Sequence, residues 1–249
     1  MKCSVAFWLA AWSAACAVVA APARTQAATI VSATHAGTSV VDSPVITPGG
    51  MNPGALLMEG RAHILAVANY NATSGGLTTS PPNGSDIASL PFPSYLAGND
   101  YVRVNVSNRN IADYQMTVTT AVPSIVYLLL DNRLGDNLGG SSNNLADPEL
   151  QRPEQAWVAA NGWTRVNSGL TPNGAGDYTG ADEGGNGSLD QFYAIYRNVT
   201  GPNNQIVLGA QFEGRNMYLV SARAIPEPAS LLLAGTTLAA LLTRRRVVA

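Results

Sequence analysis

Between residues 101 and 224 apolar side chains recur at every second position or in short unbroken runs, and nowhere do they hold a sustained helical stripe. A period of two belongs to strands, because successive side chains there point to opposite faces, so this pattern restricts the chain to β architecture. Residues 101–106 (Tyr-Val-Arg-Val-Asn-Val) and 113–120 (Asp-Tyr-Gln-Met-Thr-Val-Thr-Thr) alternate, with Asn108-Arg109-Asn110 supplying turn chemistry between them. Residues 124–130 are apolar without interruption after Pro123, which predicts a central strand covered on both faces. Shorter strands are expected at 191–197, 205–211 and 217–224, each bounded by Gly, Asn or Pro. Nearer the start, 29–31, 39–47 and 62–68 are strand candidates, 75–93 reads as a long loop, and 153–160 can make two helical turns. No repeat of fixed period and no break in composition divides the body. The expected fold is all-β: a single antiparallel β-sandwich or jelly-roll-like domain over residues 28–224, flanked by an N-terminal signal helix and a C-terminal hydrophobic helix.

The N-terminal flank has the form of a secretory signal peptide over residues 1–27. Met1-Lys2 is a small basic start, residues 5–19 carry no charge, and Ala20, Ala21, Ala23, Ala27 and Ala28 are small. Cleavage after Ala27 and cleavage after Ala23 both satisfy a small-x-small rule. A lipoprotein reading also exists, because Ser13-Ala14-Ala15 precedes Cys16, although Ser13 stands where a large aliphatic residue is expected. Cys3 and Cys16 are the two cysteines of the chain, so the body after residue 27 has no disulfide and must be held by its own core.

At the other end Ile225-Pro226-Glu227-Pro228 leads into Leu231-Leu232-Leu233-Ala234-Gly235-Thr236-Thr237-Leu238-Ala239-Ala240-Leu241-Leu242, closed by Arg244, Arg245 and Arg246. The two prolines force a helix to start at or after Pro228. Residues 229–243 as a helix would reach roughly 22 Å, short of a hydrocarbon core of about 30 Å, so the span is marginal. The three arginines resist translocation, which would leave them cytoplasmic and the body outside. A plain membrane anchor and a buried core helix with a basic tail are the competing readings. The order of Pro-Glu-Pro break, short apolar helix and basic stop over 225–249 resembles the PEP-CTERM sorting signal of exported bacterial proteins. That resemblance implies recognition at Pro226, Glu227 and Pro228 by exosortase, a membrane transpeptidase, with a basic stop at Arg244, Arg245 and Arg246. It also implies transient attachment to the inner membrane before release to the cell surface or medium.

A second resemblance lies in the body. Residues 126–133 (Val-Tyr-Leu-Leu-Leu-Asp-Asn-Arg), Trp157, Gly162-Trp163-Thr164, Tyr193-Ala194-Ile195-Tyr196-Arg197, Val207-Leu208-Gly209 and Asn216-Met217-Tyr218-Leu219-Val220 follow in order. This series resembles a β-sandwich module found beside secreted bacterial polysaccharide-active enzymes, and implies a fold and an extracellular setting. Asp131 and Arg133 follow an apolar strand and are expected to emerge at a sheet edge, where the ion pair holds a loop or, beside an aromatic ring, grips vicinal hydroxyls. Trp157 and Trp163 either fill the sandwich or stack on a sugar ring from a loop.

Other chemistry has weaker marks. His35 and His63 are the only histidines, and no Gly-x-Ser-x-Gly elbow is present, so a Ser/His or Cys/His nucleophile system lacks its usual signature. A carboxylate pair that meets only in the fold stays open. Asp177, Asp182, Glu183, Asn186 and Asp190 crowd one Gly-rich segment, and Asp131, Asp136, Asn144 and Asp147 another. Both read as solvated loops, with Ca²⁺ binding as the alternative, since such loops can supply six to eight oxygens. No zinc, phosphate-loop or nucleotide motif is present, and no cofactor is expected. With Lys2, Glu227 and Arg244 to Arg246 set aside, 10 arginines face 15 acids, so the body is acidic and nucleic acid is not an expected partner. Five Asn-x-Ser/Thr tripeptides start at Asn71, Asn83, Asn105, Asn186 and Asn198, a pattern that an Asn-, Ser- and Thr-rich surface produces by chance.

Three function classes fit. The first is an exported non-enzymatic surface or matrix protein set among exopolysaccharide or biofilm and processed by exosortase. The second is a polysaccharide-active enzyme or carbohydrate-binding module, and the third an envelope protein that keeps its C-terminal helix as a permanent anchor.

Overall fold

The structure is a computed structural model that describes residues 28–60, 63–65, 92–135, 147–150, 152–170, 176–183 and 191–226. The signal-peptide segment 1–27, the loop 75–91, Glu227, Pro228, the apolar run and Arg244 to Arg246 lie outside the described residues. Among the described residues no helix is long and apolar enough to cross a membrane.

Eleven strands are described: β1 (Ile30–Ala36), β2 (Val45–Met51), β3 (His63–Leu65), β4 (Asn99–Arg103), β5 (Gln115–Thr120), β6 (Ser124–Asp131), β7 (Thr164–Arg165), β8 (Tyr178–Glu183), β9 (Gln191–Val199), β10 (Gln205–Leu208) and β11 (Leu219–Ala224). One helical turn, α1 (Trp157–Ala160), follows a 3₁₀ turn at Pro153–Gln155, in the stretch expected to be helical. A small sheet has the order β1-β5-β10, and a large one β2-β4-β11-β6-β9-β8-β3, with β7 added beside β9. The strand pairings are antiparallel, so the expected all-β sandwich-like architecture holds.

The unbroken apolar run of β6 is explained by its place at the centre of the large sheet. Val126, Leu128 and Leu130 point into the space between the sheets, where Ile30, Met116, Val118, Ile206 and Leu208 meet them from the small sheet. Tyr127 and Leu129 point the other way, into a second core with Ile195, Leu219 and Tyr101. That second core is roofed by Met51 at the end of β2 and by Leu57, Met58 and Leu96, which arrive on loops and not on a third sheet. From Val126 to Leu130 each face of β6 is thus removed from water, and the strand carries no charged position until Asp131.

Several boundaries differ from the sequence expectation for local reasons. The segment 39–47 is a strand only from Val45, because Ser39 and Asp42 adopt positive φ of 63° and 52°, which turns the chain out of the extended conformation. The alternation at 101–106 stops at Arg103: the Asn105 side chain accepts from Ser107 N at 2.9 Å and caps a 3₁₀ helix, Val106–Asn110. Asp113 is drawn out of β5 by Thr38, whose backbone N–H and hydroxyl donate to its carboxylate at 2.9 and 2.8 Å. The acidic segment containing Asp182 and Glu183, read as a solvated loop, is strand β8, bound on one side to β9 and on the other to β3.

Gly209 ends β10 where the chain passes under Trp157, and a Cβ there would collide with the indole ring. Gly209→Ala is expected to cost about 1–3 kcal/mol through overpacking. Denaturant unfolding with intrinsic fluorescence reads it, and a midpoint equal to wild type contradicts the contact.

Candidate functional site

Asp131 closes the central strand β6 and is wholly buried, so it sits inside the large sheet and not at its edge. Arg133 folds back two residues later and grips it bidentately, Nε to Oδ1 at 2.9 Å and Nη2 to Oδ2 at 2.6 Å, while its own backbone N–H donates to Oδ1 at 3.0 Å. Asn216, just before β11, donates to Asp131 Oδ2 from both its backbone and its side chain at 3.2 Å. Arg133 also reaches Glu183 of β8 at 3.0 Å, and both Arg133 and Asn216 donate to Gln191 Oε1 of β9. Burial pulls the guanidinium pKa down, but Asp131 and Glu183 outweigh it and hold Arg133 above its ordinary value. The cluster therefore ties the ends of three strands and two loops together, with its polar atoms turned on one another.

Trp157 and Trp163 are turned inward. Trp163 is 6% exposed and meets the Trp157 ring edge-to-face at 6.3 Å, and Trp157 packs on Tyr218 at 5.9 Å while its Nε1 donates to Ala210 O at 2.9 Å. Trp163 thus offers no face to a sugar, and the half-buried Trp157 spends its N–H on the protein.

Those calcium candidates that lie among the described residues do not converge. Asp177 accepts from Ser168 N at 2.9 Å, Ser168 Oγ at 2.6 Å and Tyr95 Oη at 2.8 Å. Asp182 is buried on β8, Glu183 belongs to the Asp131 cluster, and Asp147 holds Arg165 and Tyr178. Asp190, Asp136, Asn144 and Asn186 lie outside the described residues. Among the described residues no group of three or more His, Cys, Asp or Glu is placed to hold a metal. His35 stands edge-on to Tyr114, and burial lowers its pKa below 6.5 against the opposing field of Asp42. His63 opens β3 at the rim of the large sheet.

A hollow that no sequence pattern marked lies on the second-core face, where the roofing loops stop. Its floor is Tyr127, stacked under Tyr95 with ring centroids 5.1 Å apart, and its walls carry Arg165, Arg197 and Arg223. The hollow holds about 290 Å³. Register places these side chains together: Arg197 faces Tyr127 across β9 and β6, and Arg223 faces Ile125 across β11 and β6. The Arg223 guanidinium stands 5.8 Å from the Tyr127 ring centroid. Burial raises the Tyr127 phenol pKa, and the charges of Arg223 and Arg197 oppose it. Arg165 is fixed by Asp147 at 2.8 Å and by carbonyl oxygens of Asp177 and Ile195, yet its Nη2 is buried without a hydrogen-bond partner among the described residues.

The two ends of the described body meet at one turn. The β5–β6 connection donates from Ala121 N to Thr29 O at 2.8 Å and accepts at Pro123 O from Ile225 N at 3.0 Å. The segments before Ala28 and after Pro226 thus join the sandwich at the same pole. Pro226 is exposed there, two residues beyond β11.

No curated protein and no solved structure matches the chain. The family model of the PEP-CTERM protein-sorting motif matches residues 224–246, beginning on the last residue of β11 and taking in Pro226, Glu227, Pro228 and the three arginines. The chain is accordingly a protein with a PEP-CTERM sorting motif, exported and sorted in an exosortase-dependent manner.

Proposed function

We propose that this is a non-enzymatic component of the cell surface or extracellular matrix, released or transferred by exosortase at Pro226-Glu227-Pro228 into surroundings rich in exopolysaccharide. The observation that carries the reading is the junction of motif and body: the motif starts in the sheet itself, at the pole where the N-terminal segment also joins. A body held at one pole hangs from the membrane with its other faces free, which suits a domain delivered whole to the outside. The marginal apolar run serves as a transient hold, with Arg244 to Arg246 on the cytoplasmic side.

Peptide mapping of the C-terminus, with fractionation of cells and medium, tests it. The exported protein is expected to end near residues 226–228 and to lack Arg244 to Arg246. The Glu227→Ala variant is expected to accumulate at full length in the membrane fraction. A wild-type chain that keeps Ala249 in the membrane would make it a permanently anchored envelope protein. Turnover of a polysaccharide by the purified protein would make it an enzyme.

A further inference from the structure

We infer that the arginine-walled hollow of the large sheet is a binding cleft for a carboxylate-bearing oligosaccharide. The body is acidic overall, yet three of its arginines converge on one concave surface over a stacked tyrosine pair. Guanidinium groups match carboxylates in planar, bidentate fashion, and an aromatic floor offers an apolar face to a sugar ring. Arg165 is held rigidly by its protein partners and adds a fixed positive charge to the wall. Arg197 and Arg223 make no ion pair among the described residues and stay available to a ligand.

The cleft does not stop at one hollow. Arg197 also lines a second one, about 280 Å³, formed with Ile125, Thr164 and Val199. Two adjoining hollows with a cation between them form a track for a chain and not a seat for a single ion. Arg197 and Arg223 lie on strands either side of β6, two strand spacings or about 10 Å apart at the backbone, a separation that suits successive acidic groups of one chain. Lipid headgroups are a poorer match, because a bilayer surface is met by protruding side chains and this surface is recessed between β9, β11 and the roofing loops. An acidic oligosaccharide is also what an exported body would meet outside. In that respect alone the inference rests on the proposed function, since the binding is a property of the folded protein.

The test uses the purified full-length chain in neutral detergent, titrated calorimetrically with oligogalacturonates and with malto-oligosaccharides as the neutral counterpart. Saturable binding of the acidic oligomers is expected, weakening as salt is raised, with the neutral series at least tenfold weaker. Arg197→Ala and Arg223→Ala are each expected to lower affinity tenfold or more. Arg197 is exposed and Arg223 half-buried, so both variants should retain the near-ultraviolet circular dichroism of wild type. No binding, equal binding of the two sugar series, or unchanged affinity in both folded variants would overturn the inference. Because Arg223 lies beside the sorting motif, phosphatidylglycerol vesicles are the necessary rival. If they bind through Arg197 and Arg223 while oligogalacturonate does not, the cleft is a lipid site and the inference fails. A protein that binds oligogalacturonate yet keeps its C-terminus in cells leaves the cleft intact and refutes only the release step.

Discussion

Replacing Asp131 with alanine is expected to destabilise the protein by about 3–5 kcal/mol, the usual cost of removing one partner from a buried ion pair. Every acceptor position of this carboxylate is in use. Oδ1 takes the backbone N–H and Nε of Arg133, and Oδ2 takes Arg133 Nη2 together with both donors of Asn216. Asp131 is 0% exposed and the Arg133 side chain 12%, so water cannot replace the lost oxygens on either side. Glu183 and Gln191 would still hold one edge of the guanidinium, which limits the loss, but the Asn216 N–H would be left buried without an acceptor. Asp131→Asn keeps the shape and puts an amide N–H₂ among donors, so it is expected to lose most of the same stability. Arg133→Ala strands the carboxylate and costs a comparable amount. The double variant should be less destabilised than the sum of the two, because the second substitution removes the group that the first left unpaired. Urea unfolding of the four proteins measures the cycle. A loss below about 1 kcal/mol for Asp131→Ala, or strict additivity, would show that the cluster does not act as a unit.

The same cluster shows what a single sequence can and cannot disclose. The position of Asp131 at the end of an apolar strand, and its partnership with Arg133, follow from local order, since the residues are two apart. That β6 is central, and the pair therefore buried, depends on β11 and β9, which lie far along the chain and supply Asn216 and Gln191. Strand β8 was hidden for a related reason. Tyr-Thr-Gly-Ala-Asp-Glu contains a glycine and two acids, residues depleted in strands, and it becomes one because β9 offers a full ladder and Arg133 neutralises Glu183. The Trp157 and Trp163 choice between core and loop also turned on packing, here against Tyr218 and Gly209. The arginine cleft left no trace at all in local order: Tyr95, Tyr127, Arg165, Arg197 and Arg223 come from five separate stretches, each with an ordinary reason to be where it is. Cross-strand register joins the arginines to Tyr127, and the turn before β4 lays Tyr95 over it. The sorting motif was legible in full because its recognition depends on contiguous residues and not on the fold.

A second large effect is expected at Asp100, whose replacement by alanine should cost on the order of 2–5 kcal/mol by leaving buried N–H donors without an acceptor. Asp100 lies in β4 of the large sheet at 6% exposure and reaches across to the other sheet, where its Oδ2 accepts from Thr29 N at 2.5 Å and Ile30 N at 2.9 Å. Its Oδ1 accepts from Gly49 N at 2.7 Å, so one carboxylate joins the start of β1 to β2 and β4. Thr29 and Ile30 are 4% and 2% exposed, and their donors have no water to turn to; Gly49 is exposed and can be rehydrated. The loss therefore falls on β1, an edge strand of the small sheet held otherwise by β5. Asp100→Asn retains one acceptor oxygen and should fall between wild type and alanine. The expected signature is local as well as global. Hydrogen exchange across Ile30–Ala36 should accelerate more than across β6, and proteolysis should cut within β1 before the rest of the sandwich opens. Because Thr29 and Ile225 bond to the same β5–β6 turn, loosening β1 should also speed exchange at Ile225 N–H, next to the exosortase motif. Uniform exchange across β1 and β6 in Asp100→Ala would mean that the carboxylate contributes only to overall stability and does not secure the pole from which the protein is sorted.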